Sequence, residues 1–434
     1  MSVGARPLGQ VEKNVVRVAL VHDQQGKSLV ILPANALLNL AAVWKLTGRQ
    51  LQPVSCSDAK RFFAQEGLKS QRGQEQLLAM PLILDSQVKL KKTEVWEPFT
   101  GLRFPIDEAR LKQAEYTGEL GLTSELIYEQ VAMQNDVEAI TQALERFSAL
   151  RVRQRLEDTL SLPGFSQTTR KLIMLRSDPD AKVEDLLSIV KVDAPVSAQA
   201  MSWAASPYYA APGKVESLED AVIRVLGFDL VINLALGVAM GRVMSMPDNT
   251  PRGGTPFWLQ SVATAVFADQ LARQAQLENR PKPGLVYLSG LLHNFGYLLL
   301  AYLFPAQFST LSRYIEANPH LSYTLIEQQV LRLTREQVGA WLLESWELPS
   351  EVCAAIRWQN DADYAGDYAE YAKLLRLSKT ILAELGFCDG PIEPVSAEDL
   401  AAVGLSLETK NQVVEAFIKD QEKLNELAKL FGDK

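Results

Sequence analysis

GLLHNFGYLLL, residues 290–300, sets a histidine and an asparagine side by side inside an otherwise apolar run. Read outward, the run extends as GLVYLSGLLHNFGYLLLAYLF over 284–304, apolar on every helical face. A helix without a polar face belongs in a core. The reading therefore places one helix, Gly284–Phe304, at the centre of its domain. His293 in that setting should be hydrogen-bonded and neutral, because an unpaired polar group is costly to bury.

The flanking sequence is helical too. Apolar spacing predicts helices over Asp136–Leu160, Val183–Val190, Ala194–Ala205, Ser217–Leu226, Asp229–Val243 and Phe257–Gln276. Beyond the central run they continue as Ala306–Ala317, Leu321–Leu331, Glu336–Glu344, Ser350–Trp358, Tyr368–Leu385 and Glu408–Phe431. Leu162-Pro163-Gly164 stops the first of them, and Met246–Thr255 is the longest separator. Gly227 stands between two helical runs, where a left-handed cap is cheap.

Before residue 107 the periods mix. Val15–His22 and Ser28–Pro33 flank Asp23–Lys27 (DQQGK) and read as a hairpin. Leu37–Leu46 and Asp58–Glu66 read as helices, the second starting from an Asp cap. Leu82–Asp85, Val88–Lys89 and Thr93–Trp96 read as short strands. The fold class is an α+β N-terminal domain followed by a large all-α domain. The boundaries are 1–106 for the α+β part, 107–150 for a connecting helical segment, 151–385 for the helical domain and 386–434 for accessory helices.

Composition sets the limits. At roughly 100–200 residues per domain, 434 residues suit two or three. Hydrophobic residues at 47% and charged residues at 22% exclude wholesale disorder. No run is read as a membrane span, the N-terminus lacks the apolar core of a secretory signal, and a cytoplasmic location is expected. Cys56, Cys353 and Cys388 are too scattered for a disulfide framework. Only three histidines exist, His22, His293 and His320, so a histidine-rich metal centre cannot be built. Residues 1–110 carry 15 Lys/Arg against 10 Asp/Glu, a net of +5, while the whole chain is −8. That asymmetry points to two parts of different origin. Walker A, GxGxxG and GxSxG motifs are missing. Arg252-Gly253-Gly254 is weighed as a phosphate cradle and read as a connector, and His320 as a loop or helix-start residue.

Several segments in order carry a family likeness: Arg151–Leu160 followed by LPGF (162–165), IVKVDAP (189–195), AASPYY (204–209), SLEDAVIRVLGFDLVINLALG (217–237), GLLHNFGYLLL (290–300) and GAWLLESWELPSEVCAAI (339–356). Together they resemble the HDOD domain, a divergent relative of the HD phosphohydrolases, and imply an HD-like helical fold. HD enzymes hold metal with histidines and aspartates and use it to activate water. At the matching positions this chain has Gln260, His293-Asn294, Arg335, Gln359-Asn360 and Ser378. The resemblance thus implies a degenerate HD site with no metal, no catalytic residue and no cofactor.

A second likeness lies in VVRVALVHDQQGKSLVILPAN (15–35), LLNLAAVWKLTGRQLQPVS (37–55) and AMPLILDSQV (79–88). This part is similar to the YbaK-type aminoacyl-tRNA editing family, which uses a lysine on an early strand and a glycine-rich loop. Here Arg17 takes the lysine position, and QRGQEQLLAMP (71–81) stands for the loop, keeping Gly73 and Pro81. The editing domain is expected to be truncated and degenerate. Lys89, Lys91, Lys92 and Arg103, near Trp96, Phe99 and Phe104, are the residues that would touch nucleic acid.

The expected function is non-catalytic bacterial signal transduction through an HDOD domain, by binding a protein partner or a small acidic ligand, with tRNA a further candidate. Two enzymatic alternatives stay open: a divergent metal-dependent phosphohydrolase, and aminoacyl-tRNA deacylation by the N-terminal part. The sequence leaves the oligomeric state open.

Overall fold

The computed structural model describes residues 15–123, 136–147, 167–209, 215–241 and 246–431. Arg151–Leu160 and the LPGF stretch, both used in the sequence reading, lie outside them. The chain forms two compact units. The first is Met1–Asn135, Asp248–Gly254 and Pro305–Arg332, and the second is Asp136–Pro247, Thr255–Phe304 and Leu333–Lys434.

The first unit is built on a mixed sheet. Its strands are β1 (Val15–Asp23), β2 (Gly26–Pro33), β3 (Ala36–Leu38), β4 (Gln52–Pro53), β5 (Leu82–Asp85), β6 (Thr93–Trp96), β7 (Arg103–Ile106), β8 (Tyr116–Gly118) and β9 (Gly121–Thr123). The main sheet runs β7-β6-β1-β2-β5-β8, with β4 added to β1, while β3 and β9 pair separately. β1 and β2 form the expected hairpin, in register at Val18↔Ile31 and Asp23↔Gly26. Asp23 accepts from the amides of Gln25 and Gly26 at 2.8 and 3.2 Å, and Gly26 takes φ 133°. Only glycine reaches that φ cheaply, so the turn and the register are set together. Leu29, Ile31, Leu84, Val95 and Phe104 are buried on the sheet. Each such side chain is worth about 1.5–3 kcal/mol over exposure.

Several local expectations need correction here. The helix Cys56–Phe63 is capped by Ser55, whose Oγ accepts from the Asp58 amide at 3.1 Å, so Asp58 sits inside the first turn. Val88–Lys89 is a turn region and Leu37-Leu38 belong to β3, with the helix starting at Leu40 behind an Asn39 cap. Residues 107–123, read as the start of a helical connector, instead supply β8 and β9. Strands of three residues carry too little alternation to be seen in sequence.

Pro305–Arg332, which the sequence reading gave to the helical domain, packs with the sheet. Its helices Pro305–Ala317 and Tyr323–Leu331 belong to the first unit. Asn318, fully buried, accepts from the Leu38 amide at 2.7 Å, and Tyr314 donates to Asn39 at 2.8 Å. These bonds satisfy β3, a short strand that pairs only with β9 among the described residues.

The second unit is predominantly helical. Its central run is two helices, Pro283–Leu292 and Phe295–Leu303, separated at His293-Asn294. The stretch 283–303 is long and apolar enough to cross a membrane, contrary to the sequence reading, yet nearly all of it is buried inside the protein. Gly290 lets it approach helix Phe257–Gln274, since a Cβ there would lie 2.6 Å from Ala265 Cα. Gly296 abuts helix Arg335–Ser345 so closely that a Cβ would run into the Arg335 carbonyl. The segment Ser217–Leu226 forms a π-helix over Asp220–Leu226, ended by Gly227 at φ 78° and ψ 166°, a glycine-only conformation but not the left-handed helical cap expected. The final helix of the sequence reading divides into Leu407–Lys419 and Gln421–Lys429. Both pack on the core through Phe417, which meets Phe267 edge-on at 5.1 Å, and through buried Leu424 and Leu427.

Candidate functional site

The break in the central helix frees backbone groups, and side chains take them up. His293 Nδ1 lies 2.7 Å from the Gly290 carbonyl. A carbonyl oxygen can only accept, so Nδ1 carries the proton and the ring is the Nδ1–H tautomer. Burial, with Lys379 and Arg335 nearby, pulls its pKa from 6.5 down to about 3. Its own carbonyl, left without a partner in the next turn, accepts from Gln359 Nε2 at 3.0 Å. The same nitrogen donates to the Ile356 carbonyl, also at 3.0 Å, closing the end of helix Ser350–Trp358.

Two cations complete the arrangement. Arg335, at the start of a helix capped by Thr334, donates from Nη1 to Asn294 Oδ1 at 2.7 Å. Its guanidinium also lies over the Tyr297 ring, 4.7 Å from the centroid, in cation–π contact. Lys379, projecting from helix Ala369–Glu384, donates to Gln359 Oε1 at 2.8 Å and Asn360 Oδ1 at 2.7 Å. Asn360 passes the chain on to the buried carboxylate of Glu336 at 2.7 Å. Burial holds the Lys379 ammonium at about 8, below its ordinary 10.5.

Of the sequence-derived positions, the structure thus links His293, Asn294, Arg335 and Gln359 in one network. Two others bond elsewhere. Gln260 donates to the Thr255 carbonyl at 2.8 Å and to Asp389 at 3.1 Å, and Ser378 donates back to Leu374 in its own helix at 2.7 Å. Lys379 and Glu336 were missed. Their only signal was a charged residue set in apolar helical sequence.

A catalytic cation needs deprotonatable donors and open positions. This network offers one imidazole, three carboxamides and two permanent or near-permanent positive charges. Its carboxylate is engaged by Asn360. Arg335 and Lys379 would repel a divalent ion, and carboxamides are weak ligands, so these residues do not fit a metal centre. Among the described residues no three His, Cys, Asp or Glu side chains come together as a ligand group.

In the first unit, Arg17 is fully buried on β1. It donates from Nε to the Ala36 carbonyl at 3.1 Å, from Nη1 to the Ala317 carbonyl at 3.1 Å and from Nη2 to Asn318 Oδ1 at 2.6 Å. Arg17 is therefore a clamp on the end of helix Pro305–Ala317. QRGQEQLL, expected as a loop, is the helix Gln71–Leu78, and Gly73 is required because a Cβ would meet the Gly67 carbonyl. Pro81 ends that connection, its carbonyl accepting from Leu29 at 2.9 Å. His320 lies in the turn between helices Pro305–Ala317 and Tyr323–Leu331, as expected, but it is buried there, edge-on to Trp96 at 5.9 Å, with a pKa driven well down by burial and Arg17. Arg252, the weighed phosphate ligand, is engaged by buried Glu316 at 2.7 Å and by the Pro53 carbonyl at 2.6 Å. Arg103 of the basic stretch pairs with Glu94 at 2.9 Å, and Phe104 is buried.

The model of the HDOD domain matches residues 162–362. Over 99% of its length the chain is 34% identical to a candidate signal transduction protein of Marinobacter aquaeolei VT8, covering 96% of that crystal structure with a TM-score of 0.86. The chain carries an HDOD domain. The HDOD fold recurs at 18% identity in an HDOD domain protein of unknown function from Geobacter sulfurreducens, where 65% of this chain and 97% of the other superpose with a TM-score of 0.53. A candidate phosphohydrolase from Shewanella amazonensis SB2B gives 21% identity, 64% and 97% coverage, and a TM-score of 0.51. A protein of uncharacterised function from Treponema pallidum (strain Nichols) is 24% identical over 246 residues, 56% of this HDOD chain. The chain spans only 45% of that relative's length.

Proposed function

We propose that this HDOD protein is a non-catalytic signal-transduction component that works by binding a protein partner or a small ligand. One observation supports the reading: among the positions that the HD resemblance assigns, Asn294 accepts from the Arg335 guanidinium and Gln359 and Asn360 accept from the Lys379 ammonium. A site so neutralised stabilises the helix break and leaves no group to activate water. The Marinobacter relative, named for signal transduction and matched over nearly the whole chain, supports the same class. Hydrolysis of bis-p-nitrophenyl phosphate by the full chain, with Mn²⁺ or Mg²⁺ supplied, is the test. Rates should equal those of the His293→Ala variant. Metal-dependent turnover that this variant abolishes would establish the phosphohydrolase alternative, the class for which the Shewanella relative is named.

The N-terminal part is read as a YbaK-like scaffold retained for docking, without deacylation and without a role for tRNA chemistry. What supports this is the engagement of Arg17, at the editing-lysine position, by Ala36, Ala317 and Asn318. Full-length protein should leave the ester half-life of a mischarged tRNA unchanged. A shortened half-life that Arg17→Ala restores would overturn it.

A further inference from the structure

The second unit holds a cavity of about 370 Å³ that the network at His293 does not use. Its size lies in the range of small-molecule sites. Tyr208, Tyr209, Phe228 and Tyr287 supply aromatic walls. Asp229 and Arg273 sit at its exposed side, their side chains 64% and 62% accessible, while Asn233 and Tyr287 are buried at its inner end.

Two side-chain oxygens in this cavity lack donors among the described residues. Asn233 donates from Nδ2 to the Gly284 carbonyl at 2.6 Å, but its buried Oδ1 finds no donor among the described residues. The buried Oε1 of Gln270 likewise lacks one. Two acceptors without donors are an uncommon expense, since each forgoes about 1–3 kcal/mol. The cations offer nothing to an acid. Arg273 is held by Asp269 at 2.7 Å, and the lining carboxylate Asp229 already holds Arg176 at 2.5 Å. The tyrosine hydroxyls of Tyr209 and Tyr287 face each other at 3.4 Å, and burial first, then neighbouring tyrosines and Asp269, pushes both away from ionising.

We propose that this cavity binds a planar nitrogenous ligand, neutral or cationic, that inserts between the tyrosine rings and donates in-plane N–H groups to Asn233 and Gln270. Such a ligand supplies what the two amide oxygens lack, and its face meets the aromatic walls. An acidic ligand of the same shape would set oxygen against oxygen and would have to break an ion pair to find a cation. The inference does not rest on the reading of the His293 site, and either can fail without the other.

Benzamidine, an amidinium on a ring, is the probe, and benzoate is its shape-matched acid. Calorimetric titration of the full chain should give saturable one-to-one binding of benzamidine, with benzoate roughly tenfold weaker or undetectable, as loss of paired buried polar groups demands. Gln270→Leu and Asn233→Leu should each weaken benzamidine by a similar factor while the thermal melt stays cooperative. Should Asn233→Leu fail to fold, Gln270→Leu on a half-buried position carries the test. Absence of saturable binding, equal affinity for benzoate, or binding that survives Gln270→Leu unchanged would each overturn the proposal.

Discussion

Acidification should unfold this protein through His293, and the effect can be isolated. In the folded state burial and two neighbouring cations hold the imidazole pKa at about 3, against 6.5 when exposed. Between those values the unfolded chain binds a proton that the folded chain refuses. Stability therefore falls as pH falls, is complete above about 6.5, and goes on being lost down to about 3. At 1.36 kcal/mol per pH unit, the loss from this group by pH 4 is about 3 kcal/mol. At about 2–4 °C per kcal/mol for a unit of this size, that is roughly 6–12 °C in melting temperature. The assay is urea unfolding of the full chain, followed by circular dichroism from pH 7 to pH 4, beside His293→Gln. The variant keeps a polar side chain but cannot titrate. His320, also buried, and every carboxylate are common to both proteins and cancel in the difference. The wild-type curve should fall more steeply, by about 3 kcal/mol over the range. Parallel curves would refute the argument, because an exposed or already charged His293 has no such linkage.

Other outcomes follow from the same contacts. Lys379→Met removes the donor to Gln359 and Asn360 and leaves Glu336 without its compensating charge. The expected cost is about 1–3 kcal/mol for the hydrogen bonds from a charged donor, read from urea midpoints at constant m. Gly296→Ala forces helix Phe295–Leu303 off the Arg335 carbonyl and should cost about 1–3 kcal/mol, whereas Gly26→Ala, in open space, should lose only the backbone term. Arg17→Lys keeps the charge but cannot make three bonds in one plane to Ala36, Ala317 and Asn318. Its loss of about 2–4 kcal/mol should appear as faster hydrogen exchange in β3 and at the end of helix Pro305–Ala317.

What the sequence made legible was local. DQQGK between alternating strands specified the β1–β2 hairpin, since an Asp side chain and a Gly at positive φ act within four residues. The apolar run 284–304 declared itself as core. Its break did not show, because nothing in HNF differs locally from helix. The helix ends there because Gln359, 66 residues on, takes the His293 carbonyl. The transfer of Pro305–Arg332 to the first unit was hidden for the same reason: Arg17 and Ala317 meet across 300 positions. At the candidate site, family position identified Asn294, Arg335 and Gln359, while Lys379 escaped notice one residue from Ser378, the residue that the resemblance singled out. Adjacent helical residues point about 100° apart, so an alignment correct to one position can still choose the wrong face.

The account stands on His293 being a neutral, proton-donating member of a closed network. With three histidines in the chain, long-range ¹⁵N spectra of the imidazoles can be assigned by single substitutions. The expected spectrum of the full chain shows His293 as the Nδ1–H tautomer, unprotonated at pH 5 and unmoved by excess Zn²⁺. A doubly protonated ring at that pH, or a nitrogen shifted by zinc ligation, would contradict it.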